Sequence, residues 1–365
     1  MYSESELAGA VKAGILTPQT LDALRSHIAA TRGETSTADD EQVRLVTGFN
    51  DIFVTIACTL VIFAAATAGR SFGGLLVAIA SWGMAEMFTR RRRMALPSIV
   101  LLLSFVIGLG VFTGTMVHGA LTPHEIIHNY LDYENKPQHY VTQELYPWQT
   151  ALIGASAALI AGLGALGHWR RFHVAITVAA AVAALVLLIL SGVAAATGMV
   201  LESNAIIAPA ALVCGLGVFA FAMRWDMADP ARTSLKADIA FWLHLLAAPL
   251  IAHPLFYWMG VTSGDSITTA TACGVIALYV AFGFVALAVD RRALLVSALA
   301  YVLIALARLF DKAGHVEQSV AITALIIGCA LLGLSAFWGA IRGALLARLP
   351  VGLTAHLPHG AKKAA

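Results

Sequence analysis

Residues 173–196 read HVAITVAAAVAALVLLILSGVAAA, a run with no Asp, Glu, Lys or Arg. As an α-helix rising 1.5 Å per residue it is about 36 Å long, enough to cross a hydrocarbon layer of about 30 Å. A helix apolar on every face belongs inside a large protein or in a membrane. Arg170 and Arg171 precede the run, and another apolar run, 149–168, lies on their far side. Two such runs joined by a short basic turn predict an antiparallel transmembrane hairpin.

The pattern repeats outward in both directions. Apolar runs of spanning length occupy 51–69, 72–89, 96–118, 149–168, 173–196, 205–223, 238–259, 268–289, 293–311 and 318–340. The expected fold is an all-α, polytopic membrane helix bundle of about ten transmembrane helices. Composition agrees, because 59% of the 365 residues are hydrophobic and 12% charged, with a mean hydropathy of +0.81. Soluble domains run at roughly 45–50% apolar and about 25% charged. A soluble enzyme, a disordered chain and a secreted disulfide scaffold are thereby excluded. The net charge of +2 gives no footprint for nucleic acid; the expected partner is the lipid bilayer. Cys58, Cys214, Cys273 and Cys329 each sit inside an apolar run, without a CxxC pair, and read as helix-packing residues.

Basic residues set the orientation. Nineteen of the 23 Lys and Arg fall in the tails and in alternate connections, at Arg90–Arg93, Arg170–Arg171, Arg224 to Lys236 and Arg291–Arg292. The other side holds only Arg70, Lys136, Arg308 and Lys312. The excess places both termini in the cytoplasm and the chain in the inner membrane. Trp169, Trp225, Trp242 and Trp338 fall near the inner boundary, and Trp148 and Trp258 near the outer one.

The chain divides into three segments on this basis. Residues 1–46 are a cytoplasmic helical hairpin plus an acidic linker, 47–349 the transmembrane bundle, and 350–365 a cytoplasmic tail. In the hairpin, Ser3 with Glu6 forms a capping-box pattern, Gly14 suits a helix end, and Thr17-Pro18 suits a helix start. Leu7, Val11, Ile15, Leu21, Leu24 and Ile28 would form one apolar seam. So short a hairpin holds no core of its own, so a cytoplasmic partner is expected for it.

The outer loop, 119–148, contains His124-Glu125-Ile126-Ile127-His128. On a helix, residues four apart share a face, so His124 and His128 would ligate one zinc while Glu125 polarises its water. Asp132 extends the stripe as a further ligand. These five residues resemble the H-E-x-x-H motif of zinc metallopeptidases, which implies His124 and His128 as ligands and Glu125 as general base. Pro123 departs from that family's pattern, and no third-ligand motif follows it, which leaves Glu144 as the candidate third ligand. A plain surface helix explains the same string, since Thr122-Pro123-His124-Glu125 is itself a capping box with proline at the first helical position. No cofactor is expected other than zinc at this loop, and an enzyme, if the chain is one, would be a zinc-dependent hydrolase.

The seventh run, DIAFWLHLLAAPLIAHPLFYWMG, holds His244, His253, Pro249 and Pro254. Interior prolines each remove a backbone hydrogen bond and can break a helix, and ionisable side chains inside a span mark pathways for ions or solutes. The two histidines are nine residues apart, a rotation of about 900°, so they face opposite sides of a straight helix. They read as a transport path, as haem or metal ligands, or as hydrogen-bonded packing residues. Elsewhere Glu86 pairs with Arg90 at i,i+4, and no embedded carboxylate pair is expected. Gly108, Gly110, Gly114, Gly154, Gly162, Gly215 and Gly217 read as close-packing positions.

The phrases ELAGAVKAGILTPQTLDAL, DIAFWLHLLAAP (238–249) and DRRALLVSALAY (290–301) resemble a class of bacterial multi-pass membrane proteins that carry a domain of unknown function. The ten-span topology with both ends inside also resembles the drug/metabolite transporter superfamily. That likeness implies a transporter or permease for a small solute or ion, with alternating access between the halves 51–196 and 205–340. Two other readings stand beside it: a membrane protein with a periplasmic metal site, and a non-catalytic scaffold or sensor.

Overall fold

The computed structural model describes residues 4–24, 49–131, 137–199, 204–230, 232, 234–261, 268–292, most of 294–305, and 316–350. The described residues fall into two compact units, one holding residues 4–24 and the other residues 49–350. In the first unit, α1 (Glu4–Lys12) ends at Gly14, whose φ of 72° suits a residue without Cβ. Residues 18–24 are again helical, and the Thr17 hydroxyl accepts from the Thr20 amide at 3.1 Å. Ile15 is 77% exposed, so it does not join the expected seam. The Ser3 cap, Ile28, the acidic linker and the tail beyond residue 350 lie outside the described residues.

The second unit is helical apart from one hairpin. Its elements are α2 (Phe49–Ala68), α3 (Gly73–Ala85), α4 (Ala95–Ala120), β1 (His124–Leu131), β2 (Pro137–Glu144), α5 (Pro147–Phe172), α6 (Ile176–Thr197), α7 (Asn204–Met227), α8 (Leu235–Trp258), α9 (Thr269–Val289), α10 (Val316–Ala336) and α11 (Trp338–Leu346). A 3₁₀ turn, Arg70–Phe72, leads into α3, and a π-helical turn, Glu86–Arg91, continues it. Among the described residues eight helices are long and apolar enough to cross a membrane, or nine if the bent pair α10–α11 is one span. The chain is therefore an integral membrane protein built as a multi-pass all-α bundle. The expected ninth run is helical where described, between 294 and 305, and Arg308 and Asp311 lie outside the described residues.

Packing centres on α8. Half of its apolar window is buried, against a third or less for every other span. Leu243, Ala247, Val218, Ala222, Ala179 and Val186 join α8 to α7 and α6 in one cluster. Ala252, Phe256, Phe282, Ala286 and Trp338 join α8 to α9 and α11 in a second cluster, which also takes in Leu294. A third cluster, with Cys58, Ala85 and Leu101, holds α2, α3 and α4 together. Close approach of α3 and α4 rests on two glycines: a Cβ on Gly108 would stand 2.7 Å from the Gly74 carbonyl oxygen. Gly215 meets α8 just as tightly, with Leu250 and Ile251 at 2.9 Å, whereas Gly217 faces open space.

Three expectations are corrected. The outer loop is not a helix but an antiparallel hairpin, paired from His124↔Glu144 to Leu131↔Pro137. Ile126 pairs with Thr142 and Ile127 with Val141, all strand formers, and cross-strand pairing overrides the capping-box signal. Pro249 and Pro254 do not divide the seventh run, because α8 is continuous from Leu235 to Trp258. The last run is not straight either: its axis turns by 71° between Ala336 and Trp338.

Candidate functional site

The turns at the basic ends of α7, α8 and α9 converge on a set of buried charges. Helix α7 runs to Met227, one turn beyond the expected end of its span, which carries Asp226 into the packed interior at 1% exposure. Helix α8 starts at Ser234, whose hydroxyl accepts from the Lys236 amide, while the Asp229 carboxylate accepts from the Ser234 amide at 2.8 Å and hydroxyl at 2.7 Å. This ring tightens the α7–α8 turn and sets the register of α8. His244, wholly buried, then comes level with Asp226.

The Asp226 carboxylate is the hub. Its Oδ2 lies 2.9 Å from His244 Nε2 and 3.2 Å from Arg291 Nε, and its Oδ1 accepts from Arg291 Nη2. Arg291 also donates to the Ala237 carbonyl at 3.3 Å. An ionised carboxylate only accepts, so His244 carries its proton on Nε2 in this arrangement. Its Nδ1 is buried without a hydrogen-bond partner among the described residues, and the ring meets Phe219 edge-on at 5.2 Å. A second proton on the imidazole would therefore have no acceptor in this state.

A second hub lies one residue along. Asp290 caps α9 with a left-handed φ of 60°. Its carboxylate accepts from Arg232 Nη1 at 2.7 Å and from Trp338 Nε1 at 2.8 Å, with Arg342 Nε at 3.6 Å. Arg342 donates to the Leu287 carbonyl at 3.1 Å. These anchors on Trp338 and Arg342 explain the 71° turn, because α11 is drawn onto the charged end of α9 instead of continuing α10. The Arg292 guanidinium lies over the Trp338 ring at 5.0 Å.

These residues also correct the sequence reading. Asp226 and Asp290 are buried carboxylates that the sequence reading did not single out, and Arg291, counted there only among the basic connections, is 2% exposed. Among the described residues, the members of the network lie between Asp226 and Arg342, in the second half of the bundle and the helix that ends it. One sequence signal was available: the phrases at 238–249 and 290–301 supply His244 and the Asp290-Arg291 pair, and both end in this site.

The other expected residues are dispersed. His253 leaves α8 on a different side, with Nδ1 2.9 Å from the Tyr301 hydroxyl, so the two histidines do face different neighbours. Pro254 is buried and Pro249 exposed. In the outer hairpin, His124 stacks on Tyr146 at 3.9 Å, and Gln149 ties the hairpin to α5 by accepting from the Tyr146 amide and donating to the Thr122 carbonyl. On a strand, positions 124 and 128 are about 13 Å apart and Glu125 alternates to the other face, so the helical basis of the zinc motif is absent. Asp132 lies outside the described residues, and no group of three or more His, Cys, Asp or Glu placed to hold a metal occurs among those described. Glu86 does meet Arg90 at 3.2 Å, and it also takes Arg171 at 2.7 Å. One embedded histidine was missed: His168, wholly buried on α5, packs against Phe172 and Trp82 with Nδ1 3.4 Å from the Thr177 hydroxyl.

Comparison of the chain with protein-family models, with curated proteins and with solved structures finds no match.

Proposed function

We propose that the protein is a permease of the cytoplasmic (inner) membrane that moves a small solute or ion, coupled to protonation at the Asp226–His244 pair. The observation that carries this reading is a hydrogen-bonded Asp, His and Arg, each 2% exposed or less, at the ends of helices that cross the bilayer. Ionisable groups there are expensive and mark proton relays and ion pathways. The Asp226 carboxylate holds α7, α8 and the turn after α9 together. Protonating it removes the charge that Arg291 pairs with and frees the turn to move. Farther along α8, Pro249 and Pro254 remove the amide donors that would serve the carbonyls of Leu245 and Leu250. His253 with Tyr301 adds a second polar station about 14 Å from His244 along the helix.

The test is uptake by proteoliposomes of the full chain under an imposed pH gradient, with labelled amines, organic acids, sugars and alkali cations offered in turn. At least one class should enter faster than into empty liposomes, and His244→Gln should slow it about ten-fold while remaining monodisperse. Uptake of no class, or equal uptake by His244→Gln, would overturn the proposal.

A further inference from the structure

A cleft of about 500 Å³ opens at the basic end of the bundle, away from the Asp226 hub. It lies where the π-helical turn after α3, the start of α4, the α5–α6 turn and the start of α8 meet. Arg90, Arg93 and Arg171 line it, opposed by a single carboxylate, Asp238. Glu86, just behind, is already divided between two of these arginines: Arg171 donates to it at 2.7 and 3.1 Å and Arg90 at 3.2 Å. Arg93 has no carboxylate partner among the described residues. Thr89 adds an independent sign. It lines the cleft at 7% exposure, and its buried Oγ1 has no hydrogen-bond partner among the described residues. The rest of the lining is mixed: Ile99, Phe172 and Trp242 form an apolar wall, and Ser98 and His173 add polar groups.

Guanidinium groups in excess, an unused hydroxyl and a volume in the range of small-ligand pockets fit a tetrahedral oxyanion with several acceptor oxygens. We infer that this cleft binds a phosphate-bearing group, and that in the membrane this is the headgroup of an anionic phospholipid. The apolar wall favours a lipid over a free phosphate, since it offers a surface on which acyl chains can lie. Asp238 favours a headgroup that carries hydroxyl donors, as a glycerol headgroup does. Basic pockets between helices on the cytoplasmic side are where anionic headgroups bind in membrane proteins. No hub residue lines the cleft, so its arginines can be varied without touching the Asp226–His244 pair.

The test uses the delipidated full chain in uncharged detergent, with bound lipid counted by native mass spectrometry. Dioleoyl phosphatidylglycerol is titrated against dioleoyl phosphatidylcholine, with and without inorganic phosphate at about 10 mM, a competing anion for the same guanidinium groups. Phosphatidylglycerol should be retained in preference to phosphatidylcholine, Arg93→Gln should weaken it about five-fold, and Arg93→Lys should restore most of it. Arg90→Gln supplies the same comparison if Arg93→Gln does not fold. Failure of phosphate to compete identifies the lipid as the source. Phosphate that competes and is itself lost in Arg93→Gln supports the oxyanion site but assigns it to a soluble phosphate. Equal retention of the two lipids, or retention unaffected by both arginine substitutions, would overturn the inference.

Discussion

Asp226→Asn removes one charge from the hub and almost no volume. The carboxylate serves three donors, His244 Nε2 and Arg291 Nε and Nη2. A carboxamide keeps a single acceptor oxygen and brings its own NH₂ toward the guanidinium. Arg291, at 2% exposure, then loses its buried counter-charge and at least one of its bonds to residue 226, while its bond to the Ala237 carbonyl at 3.3 Å remains. Breaking a buried pair from one side costs about 3–5 kcal/mol, and the surviving carbonyl contact sets the expectation near the lower end, about 3 kcal/mol. Arg291→Gln should cost a similar amount, because it leaves Asp226 buried with fewer donors. The double variant removes both charges, so its cost should fall short of the sum by at least about 1 kcal/mol, as expected for residues in one network. The assay is reversible unfolding in mixed micelles of the four proteins of the cycle. Single-variant costs below about 1 kcal/mol, or strict additivity, would refute the reasoning that Asp226 and Arg291 form a desolvated pair.

Three further outcomes are expected. Gly108→Ala places a methyl 2.7 Å from the Gly74 carbonyl oxygen, a backbone atom that cannot rotate away, and should destabilise the α3–α4 contact by about 1–3 kcal/mol; Gly217→Ala, which meets nothing within 4 Å, should be neutral or mildly stabilising by the same unfolding assay. Tyr301→Phe keeps the ring stacked on Phe256 at 4.8 Å but removes the hydroxyl from His253, so it should cost about 1 kcal/mol, and a cost of zero would show that the His253 contact contributes nothing.

The helical spans were legible because each must supply its own backbone hydrogen bonds and an apolar surface over some twenty consecutive residues, a signal written locally. The site was legible only in part, for reasons seen at particular residues. His244 stood out because it is ionisable inside an apolar run. Asp226 did not, because hydropathy ends the run at residue 223 while the helix continues to Met227. Arg291 counted only toward orientation, because arginine is common at span boundaries, and only the fold shows that a carboxylate 65 positions earlier meets it. The outer hairpin was misread for a related reason. Thr-Pro-His-Glu satisfies the local rules for a helix start, and the pairing of His124 with Glu144 that outweighs them is not local. The bend before Trp338 likewise depends on its bond to Asp290, 48 positions away.

The most direct measurement of the central claim is proton movement across liposomes containing the full chain, monitored by a pH-sensitive dye trapped inside, when a transported solute is added without an imposed gradient. Solute entry should shift the internal pH in the wild type, and His244→Gln should lose that shift. A wild-type protein that moves solute with no change in internal pH, or a shift of the same size in His244→Gln, would contradict the assignment of coupling to the buried Asp226–His244 pair.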